Sequence, residues 1–397
     1  MFSPKLYLSA LLCIALSLSC KKILISPDST SDSGRNFEIF WNDLNNGYPY
    51  FEEDKIDWQE RHDAYVKNVE SITTDQLYTY FTSMLKGFSD GHLRVEYNGK
   101  FYSNEKEQPN LGELIRVNNS GRILDLTYSN VELINNYTEN KNTEPQYGFD
   151  NINAGYLISP QTQKGSDGFN PEPIEICTYG LVKSNPKGIS NFKNILYVNL
   201  KTFSTNYSIE GLLVDLIQDY PSDGMILDLR MNGGGNLGIM WNAMSVFLPQ
   251  NQDLLKYAYV REKVGPLPQN FGPEQYFGVS ARGNTRYTKP VVVLTNRLSV
   301  SAAEHATMAM REMNKTRKNI KIIGDYTFGA TSFIVQRTLP CGIKYTLVNS
   351  KTWDANRIIV EKTGVKPDEQ VFLTEGKLRS LKDDQMERAI ELLNKGF

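Results

Sequence analysis

Histidine, cysteine and tryptophan are scarce in this 397-residue chain, which holds three, four and four of them. The cysteines, Cys13, Cys20, Cys177 and Cys341, form no Cys-x-x-Cys pair and no cluster with histidine, which argues against a structural zinc site. Excess charge is missing too: 43 Lys and Arg face 45 Asp and Glu, for a formal net charge of -2. No global field draws the chain to nucleic acid, so a nucleic-acid partner is not expected. No glycine-rich segment ends in Gly-Lys-Ser/Thr, which removes a phosphate loop, and no cofactor is expected. The apolar run Leu6–Leu18 is too short to span a bilayer comfortably. No repeat of fixed period appears. The 22 Tyr and 18 Phe suit a peptide-binding groove and an ordinary core equally well.

What is present begins with a targeting pattern. Lys5 supplies a positive charge, the apolar run follows, and small Ser19 precedes Cys20. That is the layout of a secretory signal. A cysteine at the cut predicts a lipoprotein acylated on Cys20, in the cell envelope and held to the membrane by its lipid. Ser17 stands where such signals usually carry Leu. Residues 21–35, rich in Ser, Asp, Thr, Pro and Gly, predict a flexible tether. Cys177 and Cys341 would then meet an oxidising compartment, and the sequence leaves their pairing open.

Residues 36–96 predict a helical domain. Phe37, Phe40, Trp41 and Leu44 recur at helical spacing, as do Leu77, Tyr80, Phe81, Met84, Leu85 and Phe88. Thr74 or Asp75 is the expected cap of the second helix. Residues 97–193 carry only short strand-like runs and predict a β-rich or loop-rich segment. From residue 194 to 376, buried-strand patterns alternate with helical ones. Strands are expected at Ile195–Leu200, Gly224–Leu229, Pro290–Thr295 and Ile320–Ile323, and helices at Ile209–Ile217, Leu237–Leu248 and Ser301–Met313. Alternation of this kind predicts an α/β core with much parallel pairing. A last helix, Leu378–Leu393, falls in the C-terminal stretch 377–397.

Three constellations carry chemistry. Asp228-Leu229-Arg230-Met231-Asn232-Gly233-Gly234-Gly235 follows a buried strand, and its glycines let the backbone turn tightly with N–H groups, such as that of Gly234, toward a negative charge. Gly233 to Gly238 also spells a dinucleotide fingerprint, which an exported chain has little use for. The second is Ser299-Val300-Ser301-Ala302-Ala303-Glu304, at the start of a helix. Ser301 is placed there for nucleophilic attack and the Ala302 N–H for an oxyanion, unless Ser299 or Ser301 only caps the helix. The third is Ser89-Asp90-Gly91-His92. A serine nucleophile needs a base, usually His. His62 lies in the polar stretch Gln59–Asp63 and reads as solvated surface. His305 lies one turn after Ser301 on the same helix face, poorly placed for the proton path. His92 follows a turn-forming pair and is the better base. Asp228, Arg230 and Glu304 read as structural.

Taken together, Asp-Leu-Arg-x-Asn-x-Gly-Gly, Ser-Ala-x-Glu, Gly324-Asp325-Tyr326-Thr327-Phe328-Gly329 and Gly364-Val365-Lys366-Pro367-Asp368 resemble the tail-specific, C-terminal-processing serine peptidases related to the tricorn core protease. The resemblance runs from about Asn194 to Val371 and reaches Asp90-Gly91-His92. It implies a ClpP/crotonase-like catalytic core acting on a peptide or protein substrate through an acyl-enzyme on Ser301. Ala330 occupies the place of the lysine base of the bacterial tail-specific members, which points to the tricorn-like branch with His92 as base and Glu361 as its supporting carboxylate. The serine that precedes the histidine in tricorn is here Gly91, and no carboxylate-binding loop of a PDZ domain is found in residues 97–193. An inactive envelope lipoprotein that binds peptides or glycans is the alternative these departures raise. A crotonase-type acyl-CoA enzyme is the other, opposed by the export signal. Oligomeric state is not readable.

Overall fold

The protein is seen as a computed structural model that describes residues 32–103, 154–159, 174–182, 193–374 and 383–397. The signal, Cys20 and most of the expected tether lie outside the described residues. Helix α1, Ser33–Gly47, begins inside the expected tether, where the Asp32 side chain accepts from the Arg35 N–H and caps it. Helices α2, Phe51–Asp54, and α3, Trp58–Tyr65, follow. Helix α4, Thr74–Met84, is capped by Thr73 rather than by Thr74 or Asp75. Thr73 prevails because Gln76, three residues on, returns a bond to its N–H and completes a capping box. A hairpin then forms from β1, Arg94–Tyr97, and β2, Lys100–Ser103.

The larger lobe begins with β3, Ala154–Ser159, β4, Ile174–Leu181, and β5, Ile195–Leu200. It continues through α5, Ile209–Asp219, β6, Gly224–Asp228, α6, Leu237–Ser245, β7, Leu254–Glu262, and β8, Gln275–Ser280. After these come β9, Val291–Thr295, α7, Ala302–Arg317, and β10, Ile320–Gly324. The chain ends with β11, Ile334–Thr338, β12, Lys344–Val348, β13, Ser350–Asp354, β14, Glu369–Gln370, and α8, Asp384–Lys395.

Among the described residues, seven strands form the main sheet in the order β14-β10-β9-β6-β5-β4-β3. The pairs from β14 to β5 are parallel, and β4 and β3 extend the sheet antiparallel, so part of the segment 97–193 belongs to this core. Every residue of β5, β6 and β9 is buried, because both faces are covered. Leu196, Val198, Met225, Leu227, Val291 and Val293 pack with residues of α5, α6 and α7. Ile195, Tyr197, Ile226, Val292 and Leu294 pack with Met386, Ala389, Leu392 and Leu393 of α8. That helix starts at Asp384 rather than Leu378, with Asp383 accepting from two N–H groups of its first turn.

The small antiparallel sheets, β13-β7-β8 and β11-β12-β1-β2, were not anticipated. The second joins the lobes: β1 pairs with β12, and Leu339, Ile343, Tyr345 and Leu347 share a core with Phe37, Phe40, Leu77 and Phe81. Cys177 is buried and Cys341 partly buried, and no disulfide joins them.

One buried ion cluster fixes the glycine turn to the last helix. Arg230 donates from Nε and Nη2 to Asp228 and from Nη1 to Asp383 Oδ2 at 2.7 Å and Gln385 Oε1 at 2.8 Å. Tyr197 donates to Asp228 Oδ2 at 2.9 Å. Removing the cation strands two buried carboxylates. Arg230→Ala should therefore cost about 3–5 kcal/mol in urea unfolding. A loss below about 1 kcal/mol would mark the pair as no better than a surface bridge.

Candidate active site

Three loops leave the carboxyl ends of parallel strands β6, β9 and β10, the edge where open α/β sheets gather their ligands. They are stitched together by backbone bonds. The Val300 N–H donates to Asn232 O at 2.9 Å, and the Phe328 N–H to Ser299 O at 3.0 Å. The Ser299 hydroxyl is used up in this framework, accepting from the Asn296 N–H at 3.1 Å and donating to Leu229 O at 2.8 Å.

Ser301 is different. Its φ of 56° and ψ of -114° place a non-glycine residue in a strained region, at a cost on the order of 1–3 kcal/mol. It shares a capping box with Glu304, in which its hydroxyl enters only as an acceptor, so the hydroxyl proton is not spent on the helix. The strain is held by Glu304. This buried carboxylate accepts from the Ser301 N–H at 3.0 Å, Thr327 Oγ1 at 2.6 Å, the Gly329 N–H at 2.6 Å and the Ala330 N–H at 2.8 Å. Burial raises its pKa although all four donors oppose the rise. Ala330 is itself buried.

Ala302 opens α7, so its N–H has no carbonyl within the helix to meet. Gly234 lies against it: a Cβ there would sit 2.7 Å from Val300 O, 2.8 Å from Ser301 Cβ and 3.0 Å from Ala302 N, at a φ of +90°. Only glycine lets the turn come so near. Its own N–H, however, donates to Asn232 Oδ1 at 2.9 Å. The expectation that this N–H points at substrate is thus corrected for the structure as it stands, because a side chain two residues back closes a local turn on it.

The histidines separate clearly. His62 is not solvated surface. It is half-buried, bonds Glu38 at 2.9 Å and lies 4.5 Å from the Trp41 ring centroid. His305 is buried with both nitrogens engaged, Nε2 at 2.9 Å from Thr331 O and Nδ1 at 3.1 Å from the Tyr257 hydroxyl. A carbonyl can only accept, so Nε2 carries the proton and Nδ1 accepts from Tyr257, which in turn accepts from Trp241 at 2.8 Å. Burial pushes the His305 pKa down to about 4.

His92 comes from the helical lobe, with its turn pressed on Phe328. A Cβ at Gly91 would lie 2.2 Å from the Phe328 ring, so a serine at that position would require the ring to move. Its N–H donates to Asp90 Oδ1 at 2.7 Å, its Nδ1 lies 3.5 Å from the same oxygen, and that Nδ1 has no bonded partner. Glu361 closes the group: one side-chain donor atom from each of Asp90, His92 and Glu361 lies within 4.8 Å of the others. Glu361 Oε2 accepts from Thr331 N, Thr331 Oγ1 and Ser332 Oγ at 2.9, 3.0 and 3.0 Å. Burial, then the neighbouring Asp90, raises the Glu361 pKa well above the carboxylate range. Thr331 therefore ties Glu361 to His305, one turn along the helix that Ser301 begins. Asp90 escaped the sequence analysis as a member of the site, though its place two residues before His92 was the available signal.

Residues 194–371 match the model of Peptidase family S41. The matched segment is a little under half of the chain. It contains Ser301, Glu304, Gly234 and Glu361, whereas His92 comes from outside it. The chain is 27% identical over 210 residues to the carboxyl-terminal-processing protease of Synechocystis sp., covering 51% of this chain and 45% of that one. It is also 27% identical over 196 residues to the carboxy-terminal processing protease CtpA of Bacillus subtilis, covering 49% and 37%. The chain thus matches less than half the length of these relatives. A crystal structure of a candidate peptidase from Parabacteroides merdae superposes with a TM-score of 0.68 over 91% of this chain and 96% of its own, at 23% identity, and shares the fold.

The His305 geometry predicts a pH response. Between about pH 6.5 and 4 the unfolded chain protonates this histidine while the folded chain does not, so stability falls as pH falls through that window. The loss attributable to His305 is about 3 kcal/mol. Urea unfolding of wild type and His305→Gln at pH 7 and pH 4.5 checks this. The gap between the two proteins should shift in favour of the variant at pH 4.5, and an unchanged gap would contradict it.

Proposed function

We propose that the chain is a serine peptidase that cleaves peptides or proteins through an acyl-enzyme on Ser301. The carrying observation is the division among the polar groups. Ser299, Glu304 and His305 are consumed by the framework, while the Ser301 hydroxyl gives its proton to no group among the described residues and His92 Nδ1 has no bonded partner among them. The family match over residues 194–371 and the two processing-protease relatives support the peptide bond as substrate.

In this reading His92 takes the Ser301 proton during attack on the carbonyl and later returns one to the leaving amine, then activates water against the acyl-enzyme. Asp90 and Glu361 hold the imidazole and balance its positive form. The Ala302 N–H, at the positive end of α7, receives the oxyanion, and a donor of this kind is worth about 3–4 kcal/mol. Gly234 lends clearance, and its N–H would join only by leaving Asn232. That engaged N–H is the one observation favouring a non-catalytic peptide binder.

A fluorophosphonate probe separates the two. Wild type should be labelled at Ser301, Ser301→Ala should not, and His92→Ala should label about 10⁴-fold more slowly or less. Labelling retained in Ser301→Ala would remove the serine mechanism, and no labelling of folded wild type would favour the binder.

We further infer an envelope location with a lipid on Cys20, which rests on the N-terminal sequence pattern alone. Cells fed a tagged fatty acid should yield a labelled protein, and Cys20→Ala should abolish the label. An unlabelled wild type of processed mass would point to ordinary signal cleavage.

A further inference from the structure

Among the described residues, Asp90 Oδ2, His92 Nδ1 and Glu361 Oε1 are buried without a bonded partner, and the three residues that carry them form one cluster, with an oxygen or ring nitrogen of each within 4.8 Å of those of the others. A buried polar atom left unpaired is costly, so three together call for an explanation. The bonds already made supply one. Glu361 Oε2 receives three donors and can only accept, so any proton on this carboxyl sits on Oε1. Asp90 Oδ1 receives the His92 N–H, which leaves Oδ2 free to accept.

We propose that Asp90 and Glu361 share a single proton, carried on Glu361 Oε1 toward Asp90 Oδ2, so that the pair presents one negative charge to His92 Nδ1 and Asp90 acts as a positioning residue for the base. One proton satisfies both carboxylate orphans, and the proton of His92 Nδ1, drawn to Asp90 Oδ1, satisfies the third. Buried carboxyl groups that share a site disfavour a second negative charge between them. The upward pKa shift of Glu361, to which Asp90 contributes, agrees with this.

The surroundings hold the arrangement. Tyr50 hydrogen-bonds Ser332 Oγ at 2.7 Å and accepts from the Thr352 N–H at 3.3 Å, which leaves the Tyr50 hydroxyl to donate to Ser332 and Ser332 to donate to Glu361. The other ionisable groups facing the cluster are Glu304 and His305 of α7, Tyr48 before α2, and Asp54 of α2. Asp54 is neutralised by Lys362 at 2.6 Å. The Asp90 carboxylate also fills the role left by Gly91, which carries no hydroxyl.

The proposal rests on the serine-peptidase reading for the role of His92, and its proton can be observed independently of activity. Infrared difference spectra of the full chain, wild type minus Asp90→Asn and wild type minus Glu361→Gln, should each lose the C=O stretch of one neutral carboxylic acid, because either partner alone ionises. Both substitutions keep an acceptor oxygen for the local bonds, and circular dichroism checks the fold. Loss in neither difference, or in Glu361→Gln only, overturns the shared proton. So does a divalent ion retained stoichiometrically by the purified chain. In fluorophosphonate labelling across pH, each single variant should keep one carboxylate and fall only about 10–100-fold. The double variant should fall about 10⁴-fold and move its acid limb to lower pH. A double variant no slower than Asp90→Asn alone would overturn the positioning role. Absence of labelling in wild type would instead remove the peptidase reading and leave the infrared result to decide the proton.

Discussion

The whole site hangs on the carboxylate of Glu304. Four donors from one loop and a helix start converge on it in a buried setting: the Ser301 N–H, the Thr327 hydroxyl, and the N–H groups of Gly329 and Ala330. Those bonds hold Ser301 in a backbone conformation it would not adopt alone, and they fix the 327–330 turn against α7. Phe328, carried by that turn, receives Gly91 and so sets where the His92 turn docks. Position in the helical lobe and position in the α/β lobe are thereby made dependent on one acid.

The second level of organisation is the separation of spent from unspent polar groups. His305 lies close to the proposed nucleophile along its own helix, yet Thr331 and Tyr257 occupy both of its nitrogens and burial keeps it neutral. Thr331 also binds Glu361 through its N–H and hydroxyl, so one residue anchors His305 and the carboxylate clustered with His92. Arg230 performs the same service at longer range, pinning the glycine turn to α8 through Asp228 and Asp383. Chemistry is left to groups that the framework does not use.

Much of this was legible in the sequence. The runs that became β5, β6 and β9 are apolar without alternation because they are covered on both faces, and the helix beginning beside Ser301 was placed from its pattern. The structural roles of Asp228, Arg230 and Glu304 were readable from their place beside turns and helix starts. The strands β7, β8 and β11 to β13 were not, since they mix polar with apolar residues and find their partners across the chain, as β12 does with β1. The cap at Thr73 was missed by one residue because it depends on Gln76 reaching back. The engaged N–H of Gly234 follows from an Asn232 side-chain rotamer, which no spacing rule reveals. Asp90 was passed over because its partner, Glu361, is brought to it only when the two lobes close.

That closure is the central claim, and a covalent complex tests it most directly. A crystal structure of the full chain with a peptide boronate should show boron bonded to Ser301 Oγ and a boronate oxygen on the Ala302 N–H. The ring of His92 should lie within about 3 Å of a boronate oxygen or of Oγ. An adduct on Ser301 with the His92 ring turned away, or boron bonded elsewhere, would contradict the account.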